Sequence, residues 1–280
     1  MSRPTARPHT RIPATRKRLS QNFLTEPATA RRIVAAAGIG RSELVLEIGP
    51  GDGMLTRHLV RYAGRVVAYE KDPHYARRLS VRYAGNHRIQ VMNNDFRFAE
   101  PPAQPFAVVG NIPFGASTDI LRWCLAAPRL TAATLLTQYE FARKYSGDYG
   151  RWTKSTVIHW PDWIPALGER IDRSAFFPVP RVDGAILRIV RRPVPLLPAG
   201  ARGDFRRMVE LGFSGIGGSL AASLRQAHSA RAVSRACAAA GIATDLPVGL
   251  VPPAAWLTLY HRLPETASPR NGRPAPRRRR

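Results

Sequence analysis

Apolar and polar positions along the chain fall into two alternating registers. Short apolar runs at 43–48, 65–69, 88–92, 106–109, 132–137, 155–160 and 185–190 have the length and β-branched content of buried strands. Between several of them the period lengthens to that of amphipathic helices, at 26–37, from the glycine loop at 49–53 to 62, at 73–83 and at 117–126. Thr25 suits the N-cap of the first helix, Gly38 its end, and Pro73 the first turn of the third. Strands alternating with helices at this spacing predict an α/β fold, a mostly parallel, doubly wound sheet.

After residue 191 the texture changes. The stretch 191–203 (RRPVPLLPAGARG) reads as a linker, and helical periodicity follows at 204–213, 219–228, 230–240 and 253–262, with SGIGGS (214–219) as a joint. The expected organisation is a basic tail at 1–18, a catalytic domain at 19–190, a small helical domain at 191–264 and an Arg-rich tail at 265–280. The tails lack hydrophobic periodicity, so they are expected to be disordered and to capture polyanions electrostatically.

Charge narrows the partner. The chain carries a net +24, and residues 1–18 and 268–280 each contribute six positive charges and no acid, which leaves +12 on the body. That predicts nucleic acid before membrane, since no amphipathic anchor is visible. No apolar run reaches the ~18–20 residues of a membrane span, and the basic N-terminus has no apolar stretch behind it. Cys124 and Cys237 are too few for a disulfide framework or a zinc site, so the expectation is reduced core thiols, no metal and a cytoplasmic protein.

The sharpest local signal is VLEIGPGDG (45–53), a strand running into three alternating glycines and then a helix. Glycines let the backbone pass close under a ligand, and the E-x-G-x-G-x-G spacing departs from the dinucleotide G-x-G-x-x-G. The loop suits S-adenosyl-L-methionine, with Gly49 and Gly51 beneath it. Glu70 ends the second strand, where a carboxylate accepts from ribose hydroxyls. Asp95 suits the exocyclic amine of the cofactor's adenine, and Phe96 its ring. Last comes GNIPF (110–114). Asn111 Oδ1 and the Ile112 carbonyl, fixed ahead of Pro113, can take both hydrogens of an adenine N6 amine while Phe114 stacks on the base. On residue type alone, Phe176 reads as core.

RLSQNFL (18–24), EIGPGDG, Glu70, NDF (94–96) and GNIPF occur in the order and spacing of a known family. Together with QYEFARK (138–144) and FFPVPRV (176–182), they make the chain resemble the Erm-type 23S rRNA adenine N6-methyltransferases of the rRNA adenine N6-dimethyltransferase superfamily. The resemblance covers about 19–190. It implies a Rossmann-like class I S-adenosylmethionine methyltransferase sheet, with Gln21, Asn22 and Leu24 by the methionine end of the cofactor and Asn111 beside the transferred methyl. It also implies that Phe176 closes over a flipped target base opposite Phe114. The implied target is an adenine in the peptidyl-transferase loop of 23S rRNA, with resistance to macrolides, lincosamides and streptogramin B, in a monomer acting on protein-free or assembling rRNA. GNIPF followed by STDI looks like this branch; the small-subunit dimethyltransferases typically carry Asn-Leu-Pro-Tyr. Those enzymes, and a non-catalytic RNA-binding protein on the same fold, are the alternatives. Phe114 departs from the tyrosine of many members, which keeps stacking and loses a hydroxyl.

Overall fold

The computed structural model describes residues 22–263. They form two compact units, one of residues 22–148 and 163–193, the other of 149–162 and 194–263. The expected tails, and Gln21, lie outside the described residues.

The first unit is a seven-stranded sheet with helices. Its elements are a short β1 (Phe23–Leu24), α1 (Pro27–Ala37), β2 (Leu44–Ile48), α2 (Thr56–Tyr62), β3 (Arg65–Tyr69), α3 (Pro73–Arg82), β4 (Ile89–Met92) and β5 (Phe106–Asn111). There follow α4 (Ser117–Ala126), β6 (Leu130–Gln138), α5 (Tyr139–Ser146), β7 (Trp163–Ile171), a short β8 (Phe176–Phe177) and β9 (Gly184–Arg191). The strand order is β4-β3-β2-β5-β6-β9-β7. Neighbours from β4 to β6 are parallel, whereas β9 runs antiparallel to both β6 and β7.

Side-chain alternation explains why both faces are covered. Leu44, Leu46 and Ile48 point into one apolar cluster with Val108, Leu135 and Leu187; Val45 points into the other with Val66, Val109, Ile33 and Leu59. A strand buried on both faces reads as a continuous apolar run, which is why LVLEI stood out in the sequence. Separately, β1 pairs antiparallel with β8, setting Phe23 opposite Phe177 and Leu24 opposite Phe176.

Two local expectations fail, and one strand is missed. The run at 155–160 is not a strand: Lys154–His159 is a helix, α6, capped by Thr153 Oγ1 accepting from Thr156 N–H. Its β-branched residues suggested a strand, but Val157 is buried in the second unit's helical core, and that packing overrides propensity. The strand at Trp163–Ile171 was not foreseen, because Pro165, Gly168 and a charged end disguise it. It is the sheet's edge, with a register shift between Leu167 and Arg170, where proline and bulges are tolerated. Thr25 does not cap α1; Glu26 is the cap residue, while Thr25 donates from both N–H and Oγ1 to the Ala175 carbonyl at 2.9 and 3.0 Å. Gly38 does end α1 in the left-handed region.

In the second unit, α6 joins α7 (Arg202–Gly212), α8 (Leu220–Leu224), α9 (Ala230–Ala239) and α10 (Pro253–Arg262). Trp256, Phe205, Leu224 and Leu259 form the centre of its core. Among the described residues, no helix is long and apolar enough to cross a membrane, and no cluster of His, Cys, Asp or Glu could hold a metal ion. Cys124 and Cys237 are free and buried, and burial pushes both thiols up.

Candidate active site

The parallel strands β2, β3 and β5 release their chain at one edge of the sheet, the usual place for a site in such a topology. Beyond β2, Gly49, Gly51 and Gly53 have φ of 60°, 54° and 81°. Side chains rarely adopt this left-handed region. Steric demand adds to it: a Cβ on Gly51 would meet the Phe23 ring at 2.6 Å, and one on Gly49 would point to the Asn111 carbonyl 3.9 Å away. The space that a side chain would fill at Gly49 therefore separates the glycine loop from the turn that ends β5.

Glu70 follows β3 and is 1% exposed. One carboxylate oxygen accepts from Gly51 N–H at 2.9 Å and the other from Asp72 N–H at 2.9 Å. Burial pushes its pKa up, opposed by these two backbone donors. Each oxygen keeps a lone pair for a further donor. Asp95, at the end of the chain's next excursion, is half-buried and accepts from the Arg97 guanidinium at 2.7 and 3.1 Å and from the Arg97 N–H at 3.0 Å. Arg97 holds its carboxyl below the usual range.

Glu70 and Asp95 face one cavity of about 250 Å³, with Gly49, Phe96 and Pro113 also on its wall. Four expected cofactor residues thus meet at one place. Phe96 is 3% exposed, with its ring 4.3 Å from that of Trp123 and edge-on to Tyr69 at 5.6 Å. It builds the wall and offers little face for stacking. Tyr69, Lys71, Arg97 and Ile120 also line it and were not singled out in the sequence. Lys71 and Arg97 were within reach of it, being one residue past Glu70 and two past Asp95. Ile120 comes from the first turn of α4, a placement only the fold supplies.

Asn111 is the last residue of β5, which pairs directly with β2, the strand that leads into the glycine loop. Its Nδ2 donates to the Asn22 carbonyl at 2.7 Å, which turns Oδ1 away as the acceptor end of the amide. Ile112 is buried and donates its N–H to Leu136. The turn is fastened from behind: Ser117 Oγ donates to the Phe114 carbonyl at 3.0 Å and lies 2.7 Å from Thr137 Oγ1. Phe114 and Phe176 do meet, with centroids 6.3 Å apart and planes at 71°. Edge-to-face rings leave no slot for a base, and Phe176 is 1% exposed in the core with Leu24. Phe177 is the exposed ring of that pair, at 40%. Leu24 is likewise a core residue and does not line the cavity, whereas Asn22 reaches the site through its carbonyl.

Glu47, the acid before the glycines, is fully buried, and burial, helped by the nearby Glu70 charge, pushes its pKa up to about 8. It is a neutral carboxylic acid at pH 7, lying under the loop and off the cavity wall.

The profile of the ribosomal RNA adenine dimethylase family matches residues 13–265. An rRNA adenine N-6-methyltransferase of Aeromicrobium erythreum is 51% identical over 249 residues, covering 89% of this chain and 73% of that one. An rRNA methyltransferase of Streptomyces thermotolerans is 48% identical over 264 residues, covering 94% and 88%. The crystal structure of the 23S rRNA methyltransferase ErmE superposes with a TM-score of 0.83 at 46% identity, covering 86% of this chain and 99% of that one.

Proposed function

Because this chain belongs to the ribosomal RNA adenine dimethylase family, we propose that it methylates N6 of an adenine in the peptidyl-transferase loop of 23S rRNA and so gives macrolide, lincosamide and streptogramin B resistance. The chain is an S-adenosylmethionine-dependent rRNA adenine N6-methyltransferase with the class I methyltransferase fold. The observation that carries the catalytic reading is the Asn111 amide, fixed by its Nδ2 bond to the Asn22 carbonyl at the edge of the glycine loop.

The residues fit the cofactor. The space at Gly49 admits a ligand where a Cβ would block it, and Glu70 keeps an acceptor site on each oxygen of a buried, fixed carboxylate. Glu70 would hold the ribose, Asp95 the adenine amine, and Gly49, Gly51, Asn22 and Gln21 the amino-acid end. S-adenosylmethionine supplies a methyl already activated on its sulfonium. This chain's own part is to bind, orient and dehydrate the acceptor. Asn111 Oδ1 and the Ile112 carbonyl accept the two N6 hydrogens, which draws the nitrogen towards sp³ and presents its lone pair. Proximity and a fixed dipole account for most of the acceleration, and water takes the released proton.

The target base must leave its stack to reach Asn111, and a loop adenine costs least to extrude. Phe114 receives its face, with Phe176 turning out of the core to close the other side. Cationic surface supports the rRNA assignment: in the helical unit Arg206, Arg207, Arg225, Arg231 and Arg235 are exposed, and the tails add twelve charges. The helical unit is read as an RNA-binding domain, and the protein as a cytoplasmic monomer acting on protein-free or assembling rRNA. The 46% identity to ErmE, whose name gives 23S rRNA, and the Ile-Pro-Phe turn favour the large subunit. Labelled S-adenosylmethionine with protein-free large- and small-subunit rRNA tests this. A single large-subunit adenine that arrests primer extension is expected; label confined to small-subunit RNA overturns the target.

A further inference from the structure

Three consecutive residues, Asn22, Phe23 and Leu24, reach Asn111, the glycine loop and the Phe176–Phe177 pair. Asn22's carbonyl holds the Asn111 amide. Leu24 pairs with Phe176, and Phe23 with Phe177, in the β1–β8 ribbon. Thr25 pins the end of this strap to Ala175 with two hydrogen bonds. The ring of Phe23 stands directly on Gly51, so close that no side chain fits there, and leans on Tyr75 of α3 with centroids 5.3 Å apart.

We infer that Phe23 is a positioning residue that acts through Asn111, with its ring setting the height of the strap above the glycine loop. The inference rests on the functional reading above. A primary amide is nearly symmetric in shape but opposite in chemistry at its two ends. An Asn111 that loses the Asn22 carbonyl presents NH2 to the target amine half the time and wanders from its angle for the rest. The carbonyl belongs to the backbone, so no side-chain substitution at Asn22 moves it. What fixes its height is the residue wedged beneath the strap, and that is Phe23. The ring is not on the cavity wall. Its loss therefore leaves Gly49, Glu70 and Asp95 in place on that wall and loosens the strap that holds the amide.

Phe23→Ala and Phe23→Leu test this in the full-length protein, with a 23S peptidyl-transferase-loop RNA hairpin as substrate. The single-turnover methylation rate of Phe23→Ala is expected to fall at least about tenfold. Its Kd for the hairpin and its calorimetric Kd for S-adenosylhomocysteine are expected to stay within about threefold of wild type. Phe23→Leu, which refills most of the wedge, is expected to recover most of the rate. An unchanged rate in Phe23→Ala overturns the inference. So does a loss of S-adenosylhomocysteine binding in parallel with rate, since Phe23 would then be a support of the cofactor loop alone. Failure of the wild-type chain to methylate the hairpin or any rRNA overturns the functional reading itself, and this inference with it.

Discussion

On the β2–β4 side of the cleft the two carboxylates are already tied down. Glu70 is clasped by two backbone N–H groups, and Asp95 by the Arg97 fork. On the β5 side the groups at the turn are neutral, an amide and aromatic rings, and one of those rings is still buried. The difference follows from what each side would receive. A small cofactor with fixed hydroxyls and an amine rewards acceptors that are rigid before it arrives, because no ordering cost falls on binding. A base extruded from a polymer must open its own slot, so that side needs one fixed direction, the Asn111 amide, and rings that can turn.

The contrast can be broken at its strongest point first. Asn111→Ala is expected to lower methyl transfer by roughly 10²–10³-fold or more, the scale for removing one preorganised dipole. Filter binding should find RNA affinity near that of wild type. Normal turnover would remove Asn111 from the mechanism. The buried acid under the loop sets the next test. Glu47 has a folded pKa of about 8 against an ordinary 4.5, so between those values the folded chain keeps a proton that the unfolded chain has lost. Its contribution is full below about pH 4.5 and is lost as pH rises to about 8, by up to ~1.4 kcal/mol per unit. Glu47→Gln should flatten that slope and exceed wild-type stability by on the order of 2–3 kcal/mol at pH 9 in urea unfolding; parallel curves would contradict the buried neutral acid.

Glu70→Ala strands the Gly51 and Asp72 N–H groups, at about 1–3 kcal/mol each, partly offset by removing a buried carboxylate. A net loss of roughly 2 kcal/mol is expected by denaturant titration, together with weakened S-adenosylhomocysteine binding. The smallest effect is expected at Asp95, whose surroundings are wetter. Asp95→Ala should raise the S-adenosylhomocysteine Kd about tenfold by calorimetry, the scale of one charge-assisted hydrogen bond at ~1.5 kcal/mol, and leave RNA affinity alone. A larger loss there than at Glu70 would reverse the ranking of the two acceptors.

Periodicity and local chemistry carried much of this molecule in one dimension. Runs such as LVLEI and RVVAY are apolar but for Glu47 and Arg65 because both faces of the sheet are covered, and the glycines at 49, 51 and 53 mark backbone that only glycine adopts easily. Glu70 and Asp95 were legible as strand-end acids, since a parallel sheet delivers such positions to one edge whatever surrounds them. Tertiary structure alone decided the rest. Whether 155–160 is strand or helix depended on the core that Val157 joins. That Phe176 would meet Phe114 from inside the core, and that Phe23 would stand on Gly51, are facts about residues 62 and 28 positions apart. Short-range steric rules write themselves into neighbouring letters; a contact between distant segments depends on how whole elements pack, and no local pattern encodes it.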